Sequence, residues 1–345
     1  MKVQMIRTFG GPEVFEEALL PDPSAKAGEV LVRIVAASVN PVDYKLRRAG
    51  PAIAPALPAV LGCDFAGIVE TIGTGVEGFT PGDAVFGCAG GVKGMPGTYA
   101  EMIAADARLV AKKPAKLPFR DAAALPLVTI TASDALQRSG VGSGQTVLIH
   151  GGAGGVGHIA IQLAKARGAW VAATVSNEFK ATLARSLGAD ETIDYRAESV
   201  DDYVERLTQG RGFDVVFDAT GGSDIASSFA AARPSGQVVT IVSQYTADLS
   251  PMHAKGLSLH VVFMLLPMLT GEGRDEHGRI LAAAAALADS GRLKPIVDSV
   301  RFTLADIAAA HRRLETGQAT GKVVIDVSAI PTSSLAAIEG GAVNV

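Results

Sequence analysis

The chain has only two cysteines in 345 residues, Cys63 and Cys88, and they form no CxxC pair. That excludes a disulfide framework and points to a reducing compartment. Charge bias is missing too: a net charge of −4 gives neither nucleic acid nor an anionic membrane an electrostatic reason to bind. The six histidines, at 150, 158, 253, 260, 277 and 311, show no HxxxH or HExxH spacing. The opening residues MKVQMIRTFGG carry no apolar signal core, so a cytoplasmic protein is expected. The longest apolar run, 257–269, is interrupted by His260 and Pro267 and is too short to span a bilayer. It reads instead as a buried or subunit-interface strand followed by a helix. No internal repeat is present.

What the chain does have is a glycine-rich turn in a specific context. Residues 147–168 read VLIHGGAGGVGHIAIQLAKARG. A β-branched apolar run at 146–149 leads into Gly152, Ala153, Gly154, Gly155, Val156 and Gly157, and then Ile159, Ala160, Leu163 and Ala164 recur at helical spacing. Strand, tight turn and helix together make the dinucleotide fingerprint. Gly152 is expected to make the sharp turn, Gly154 to admit a pyrophosphate, and Gly157 to let helix and strand pack closely. The helix N-terminus then offers free N–H groups to the phosphates.

A composition of 48% hydrophobic and 19% charged residues fits a soluble globular protein of one large or two ordinary domains. The front third is β-rich, with LVRIVAA alternating around Arg33 and turn signals at Gly73-Thr-Gly75 and Pro81-Gly82-Asp83. An alanine-rich stretch at 121–138 reads as helix. Strands are then expected at 146–150, 170–175, 191–194, 213–218 and 237–242, and helices at 156–167, 179–187, 199–208 and 223–232. This alternation means a parallel, doubly wound sheet. Two further helices, near 278–290 and 305–316, precede a closing strand at 322–327. The tail is expected to return to complete the front domain. The residues at 328–345 are rich in small side chains and weakly patterned.

The segments AASVNPVDYKLR (36–47), PAVLGCDFAGIVETIG (58–73), AAALPLVTITASDAL (122–136), the fingerprint and TGKVVIDV (320–327) together carry a resemblance. The chain resembles the medium-chain dehydrogenase/reductase superfamily, in its zinc-lacking, zeta-crystallin-like quinone oxidoreductase branch. The resemblance implies an α/β protein. Residues 124–263 would form a Rossmann doubly wound sheet, and 1–123 with 264–345 a β-rich GroES-like catalytic domain. It also implies a homodimer joined through the strand near 257–265.

Nucleotide choice turns on the end of the second Rossmann strand. NAD-preferring sites place an acidic residue there, whereas this chain has Ser176-Asn177 with Lys180 following. A hydroxyl and an ammonium suit a 2′-phosphate, so NADPH is expected as cofactor. Glu178 argues against it, and Lys180 has a competing reading as a solvated helix residue. In relatives a tyrosine at the position of Tyr195 bonds near the same phosphate. A surface pair with Arg196 is the alternative. Ser243 ends the last sheet strand, and Phe263 and Lys322 match cofactor-contacting regions of the branch more loosely. Asp218 either caps the following turn or touches ligand.

Zinc-dependent members of the superfamily hold catalytic zinc with two cysteines and a histidine. Aligned by motif, those positions fall on Asn40, Cys63 and Leu127, which make no zinc site, and no metal is expected. The acceptor must then be electrophilic already, as quinones and α,β-unsaturated carbonyls are, and its developing oxyanion needs hydrogen-bond donors. Asn40 is the candidate donor, with helix or loop capping before Pro41 as its competing role. The resemblance places Thr131 beside the nicotinamide, with Thr129 a second hydroxyl. Both could instead bond back to the i−4 carbonyl. Tyr44 could donate to substrate, although relatives carry their aromatic one residue later, at Lys45. Cys63 reads as packing and Asp64 as structural. Two alternatives stand beside the quinone or enone reductase. One is an enoyl-thioester reductase using Lys45, Arg47 and Arg48 to receive a carrier's phosphates; the other is an NADPH-binding structural or regulatory protein with little turnover.

Overall fold

The computed structural model describes residues 1–222 and 224–329. The chain divides into two compact units. One contains Met1–Leu127, Leu265–Ser290 and the chain from Pro295 onward; the other contains Val128–Met264 and Gly291–Lys294.

The second unit is built on six parallel strands in the spatial order Glu191–Asp194, Trp170–Val175, Thr146–Ile149, Phe213–Asp218, Ala232–Thr240, Ser258–Val261. Numbered by sequence this is 3-2-1-4-5-6, the Rossmann order, whose switch point lies between Thr146–Ile149 and Phe213–Asp218. Val147, Leu148, Val171, Ala172, Val215, Val216 and Val238 are fully buried, as expected for strands covered on both faces. Helices Gly157–Ala166, Glu178–Ser186, Val200–Thr208 and Asp224–Ala231 supply the crossovers, each within two residues of its expected bounds.

Two expectations change here. The fifth strand starts at Ala232, not 237, because the residues after the helix pair directly with Phe213 before the register shifts. The apolar stretch beyond 257 does contain a strand and then a helix, Leu266–Thr270, but the strand is not buried. Ser258–Val261 is the sheet edge, with Val261, Phe263 and Leu266 each at least 44% exposed.

In the first unit, Glu29–Val39 is the central strand of a seven-stranded sheet, paired antiparallel with Asp64–Ile72, Met102–Asp106 and the closing strand Val323–Asp326. The C-terminal strand therefore completes the β-rich front. The expected half-buried alternation around Arg33 is absent: only Glu29 and Arg33 escape burial in the strand. Helix Phe119–Ala123 packs against it, and Ile307–Glu315 packs there also, so the alternating polar face is lost. The alanine-rich stretch forms two helices, Phe119–Ala123 and Pro126–Arg138, broken before Pro126. Of the small-residue tail, everything from 330 lies outside the described residues.

Candidate functional site: a glycine cradle and a buried polar cluster

The glycine turn leaves Thr146–Ile149 at its carboxyl end. The residue in left-handed conformation is Gly151, at φ +71°, one position earlier than expected. Gly152 serves a different purpose: a Cβ there would lie 2.7 Å from Ala173 Cβ on the neighbouring strand. The turn is tied to that strand twice, by Gly151 N–H donating to Thr174 Oγ1 (3.0 Å) and Gly152 N–H to Thr174 O (2.9 Å). Gly157 opens the helix, and a Cβ on it would stand 2.1 Å from Gly151 O and 2.8 Å from Gly151 C. Helix and turn touch backbone to backbone. Gly154 is less confined, its added Cβ meeting only Gly151 O at 3.1 Å, so its freedom is space a ligand could fill. Gly154 N–H is spent on Gly151 O (2.8 Å) and His158 N–H on Gly154 O (3.2 Å), which leaves the amides of Gly155, Val156 and Gly157, at the mouth of the helix, without a backbone partner among the described residues. The turn fits a pyrophosphate.

The register pairing Val175 with Asp194 brings Ser176 and Tyr195 to adjacent strand ends. Asn177 caps helix Glu178–Ser186, its Oδ1 accepting the Lys180 N–H at 3.0 Å. Glu178 is drawn along the helix to Arg185 (2.5 Å), so its charge is compensated. Among the described residues the Lys180 ammonium has no ion-pair partner, and Tyr195 is 55% exposed with the Arg196 guanidinium 5.8 Å from its ring centre. The residues that follow these two strand ends thus include a hydroxyl, a cation without an ion-pair partner among the described residues, and a second cation beside a phenol, groups whose chemistry suits a phosphate. Ser243 and Phe263 are exposed beyond the carboxyl ends of the fifth and sixth strands of this sheet. Asp218 resolves as structural: its carboxylate accepts Thr220 and Gly221 N–H groups and the Thr220 and Thr240 hydroxyls. In helix Pro126–Arg138, Thr131 is buried. Thr129 is 1% exposed, and its Oγ1 has no hydrogen-bond partner among the described residues, a cost of about 1–3 kcal/mol that a ligand donor or acceptor would remove.

The first unit gathers a cluster that sequence spacing concealed. Asn40, the N-cap of helix Pro41–Ala49, is fully buried. Its N–H donates to Asp43 Oδ2 (2.7 Å), its Nδ2 to Asp64 Oδ2 (2.9 Å), and its Oδ1 accepts from the Lys322 ammonium. Asp64 also accepts from Ser38 Oγ and Leu127 N–H, both at 2.9 Å, and pairs with Lys322 at 3.5 Å. Asn40, Cys63 and Leu127 thus surround two carboxylates: Asn40 and Leu127 hold Asp64, and the Cys63 thiol donates to Asp43 at 3.3 Å. Burial raises the Asp43 carboxyl to about 6, against the Asn40 amide that favours its charge. Hydrogen bonding to Cys88 and burial push the Cys63 thiol well up, so it is a packing group and no nucleophile. Among the described residues no group of three or more His, Cys, Asp or Glu is arranged to hold a metal ion.

Two more of the expected residues lie in this unit. Lys322 is 3% exposed, and its ammonium faces Asn40 Oδ1, Val39 O (3.4 Å) and Asp64 Oδ2 (3.5 Å). Tyr44 sits on the same helix as Asp43 but answers to other charges. Burial and Glu315 raise its phenol, Arg48 lowers it, and it does not join the Asn40 cluster. Arg47 was a possible phosphate-binding side chain, yet it is wholly buried. It donates to Gly10 O, contacts His311 Nδ1 (2.9 Å) and pairs with Glu315. That leaves an acidic carrier with only Lys45 and Arg48 on this helix.

Fold and site define a two-unit dehydrogenase with a Rossmann nucleotide unit and a GroES-like partner. Residues 26–115 match the alcohol dehydrogenase GroES-like domain, and 187–325 match a family described as zinc-binding dehydrogenase. The chain is 37% identical to the NADPH-dependent alkenal/one oxidoreductase, chloroplastic, of Arabidopsis thaliana, over 94% of this chain and 79% of that one. It is 30% identical to the quinone oxidoreductase of Homo sapiens, over 94% and 97%. A crystal structure of an alcohol dehydrogenase superfamily protein from Novosphingobium aromaticivorans superposes with a TM-score of 0.91 at 40% identity, over 95% and 100%. The chain belongs to the medium-chain dehydrogenase/reductase superfamily, in its zeta-crystallin-like quinone oxidoreductase branch. The zinc in the second family's description finds no counterpart among the residues at Asn40, Cys63 and Leu127.

Proposed function

We propose that this protein is an NADPH-dependent reductase of quinones or small α,β-unsaturated carbonyls that works without zinc. The observation that carries the reading is the glycine cradle, where Gly157 and Gly151 meet backbone to backbone and Gly154 leaves ligand-sized freedom. Relatives that reduce alkenals, enones and quinones support the acceptor class.

Bound nicotinamide supplies a hydride. Residues 152–157 would hold the pyrophosphate, and Ser176, Lys180 and Tyr195 would receive the 2′-phosphate, with Ser243 and Phe263 further along the carboxyl side of the same sheet. The hydride's electron pair would form the new C–H bond at the acceptor's β-carbon or ring carbon, displacing the acceptor's conjugated π electrons onto its oxygen. Asn40 would donate to that oxyanion, Thr131 would lie on the nicotinamide side, and water would return the proton. Residues 124–263 serve as the dinucleotide domain and 1–123 with 264–345 as the catalytic one. The exposed apolar edge at Val261 and Phe263 supports a homodimer in which two sheets join. Light scattering that finds only monomer at micromolar concentration removes this part of the reading. The described residues contain no helix long and apolar enough to cross a membrane, and with the unpaired cysteines this supports a cytoplasmic protein.

The test is cofactor consumption by purified protein, NADPH beside NADH, against quinones, small enones and enoyl thioesters. Rapid NADPH loss with quinones or enones, unaffected by chelator, is expected. Tight NADPH binding with no turnover on any acceptor would favour a binding role instead.

A further inference from the structure

We infer that Lys322 is a positioning residue for catalysis, a cation built into the chain that orients and polarises the Asn40 amide, through which it acts on the acceptor's developing oxyanion. The inference rests on Asn40 being the oxyanion donor and goes beyond it. An amide side chain can flip, exchanging its donor and acceptor ends. Here it cannot, because an ammonium has only donors and a carboxylate only acceptors. Lys322 Nζ takes Asn40 Oδ1, and Asp64 Oδ2 takes one Nδ2 proton. The second Nδ2 proton has no acceptor among the described residues, and because Asn40 is fully buried that N–H reaches an acceptor only once the groups covering it give way.

The Lys322 backbone is itself fixed. Its N–H donates to Ile296 O (2.8 Å) and its carbonyl accepts from Asp298 N–H (2.9 Å). Gly321, at φ +72°, permits that approach, since a Cβ there would lie 2.3 Å from Ile296 O. Positive charge against the amide oxygen draws electron density from nitrogen, and bonds in such a chain strengthen one another in a buried setting. A zinc ion acts directly on substrate oxygen as a Lewis acid. Lys322 delivers weaker polarisation through one intervening amide, which is enough for an acceptor whose carbon is already electrophilic.

The experiment is a double-mutant cycle of Asn40→Ala and Lys322→Gln, at saturating NADPH, with but-3-en-2-one and 1,4-benzoquinone as acceptors. Asn40→Ala is expected to lower kcat on the enone about a hundredfold or more. Lys322→Gln should lower it by a comparable factor, with KM and NADPH affinity changed less than about twofold, and should cost almost nothing further in the Asn40→Ala background. Losses should be greater for the enone than for the benzoquinone, because the more basic enolate oxygen needs more stabilisation. Should Lys322→Gln fail to fold, Lys322→Gln/Asp64→Asn removes cation and anion together and enters the same cycle. Full kcat in the lysine variant beside an impaired Asn40→Ala overturns the role of Lys322 and leaves Asn40 standing. Multiplicative losses, or equal losses for both acceptors, reduce Lys322 to a structural group. Full activity of Asn40→Ala on both acceptors removes the oxyanion reading and this inference with it.

Discussion

Replacing Gly157 with alanine should damage fold and cofactor binding together, and replacing Gly154 should damage binding alone. At Gly157 the added methyl would stand 2.1 Å from Gly151 O, against an ordinary contact beginning near 3.4 Å, so 3.4 − 2.1 = 1.3 Å must be found. The obstructing atoms are backbone, and Thr174 holds the turn through two hydrogen bonds, so neither side yields freely. Overpacking of this kind costs about 1–3 kcal/mol. Moving the helix N-terminus by about an ångström also misdirects its amides, and losing the equivalent of one charge-assisted hydrogen bond weakens binding about tenfold or more. At Gly154 the methyl meets only Gly151 O at 3.1 Å, so the fold gives by a few tenths of an ångström while the methyl occupies ligand space. Thermal unfolding without cofactor and fluorescence titration with NADPH separate the two effects. Gly157→Ala with wild-type Tm and wild-type Kd refutes the packing argument. Gly154→Ala binding NADPH normally refutes the assignment of that space to the pyrophosphate.

Thr129→Val removes a buried hydroxyl without a partner, so the cofactor-free protein should hold or gain stability. NADPH affinity should fall about two- to tenfold; a drop in Tm with unchanged affinity would show the hydroxyl to be structural. Lys180→Glu should weaken NADPH by tenfold or more and NADH little, measured by paired titrations; equal effects on both cofactors make Lys180 a surface residue. Asp43 keeps its proton in the folded chain up to about 6 but loses it near 3.8 when unfolded. The native state then binds more protons over that window, so this group's contribution to stability declines as pH rises from about 4 to 6, by roughly 3 kcal/mol in all. Denaturant titrations across the window should show Asp43→Asn with a shallower decline than wild type, and identical curves would count against the buried carboxyl.

The Rossmann unit was legible because each of its elements declares itself locally. A β-branched run, a glycine turn and a 3.6-residue apolar period specify strand, turn and helix within twenty residues, and the order of those units leaves little choice of topology. Even there the residue that turns is Gly151 and not Gly152, since the pattern GGAGG does not say which glycine needs a positive φ and which must lack a Cβ. The front unit was harder, because Glu29–Val39 is central and covered on both faces, and its sequence still mimics an alternating strand. Least legible was the cluster at Asn40. Lys322 lies 282 residues from its amide partner and Asp64 lies 24 away, so no window or motif connects them. Pairing of the last strand, Val323–Asp326, with Glu29–Val39 is what delivers the ammonium to Asn40. Asn40 in isolation reads as a capping residue before Pro41. Only the long-range contacts, a buried ammonium on its oxygen and a carboxylate on its nitrogen, motivate the proposal that a lysine acts on substrate oxygen through an intervening amide.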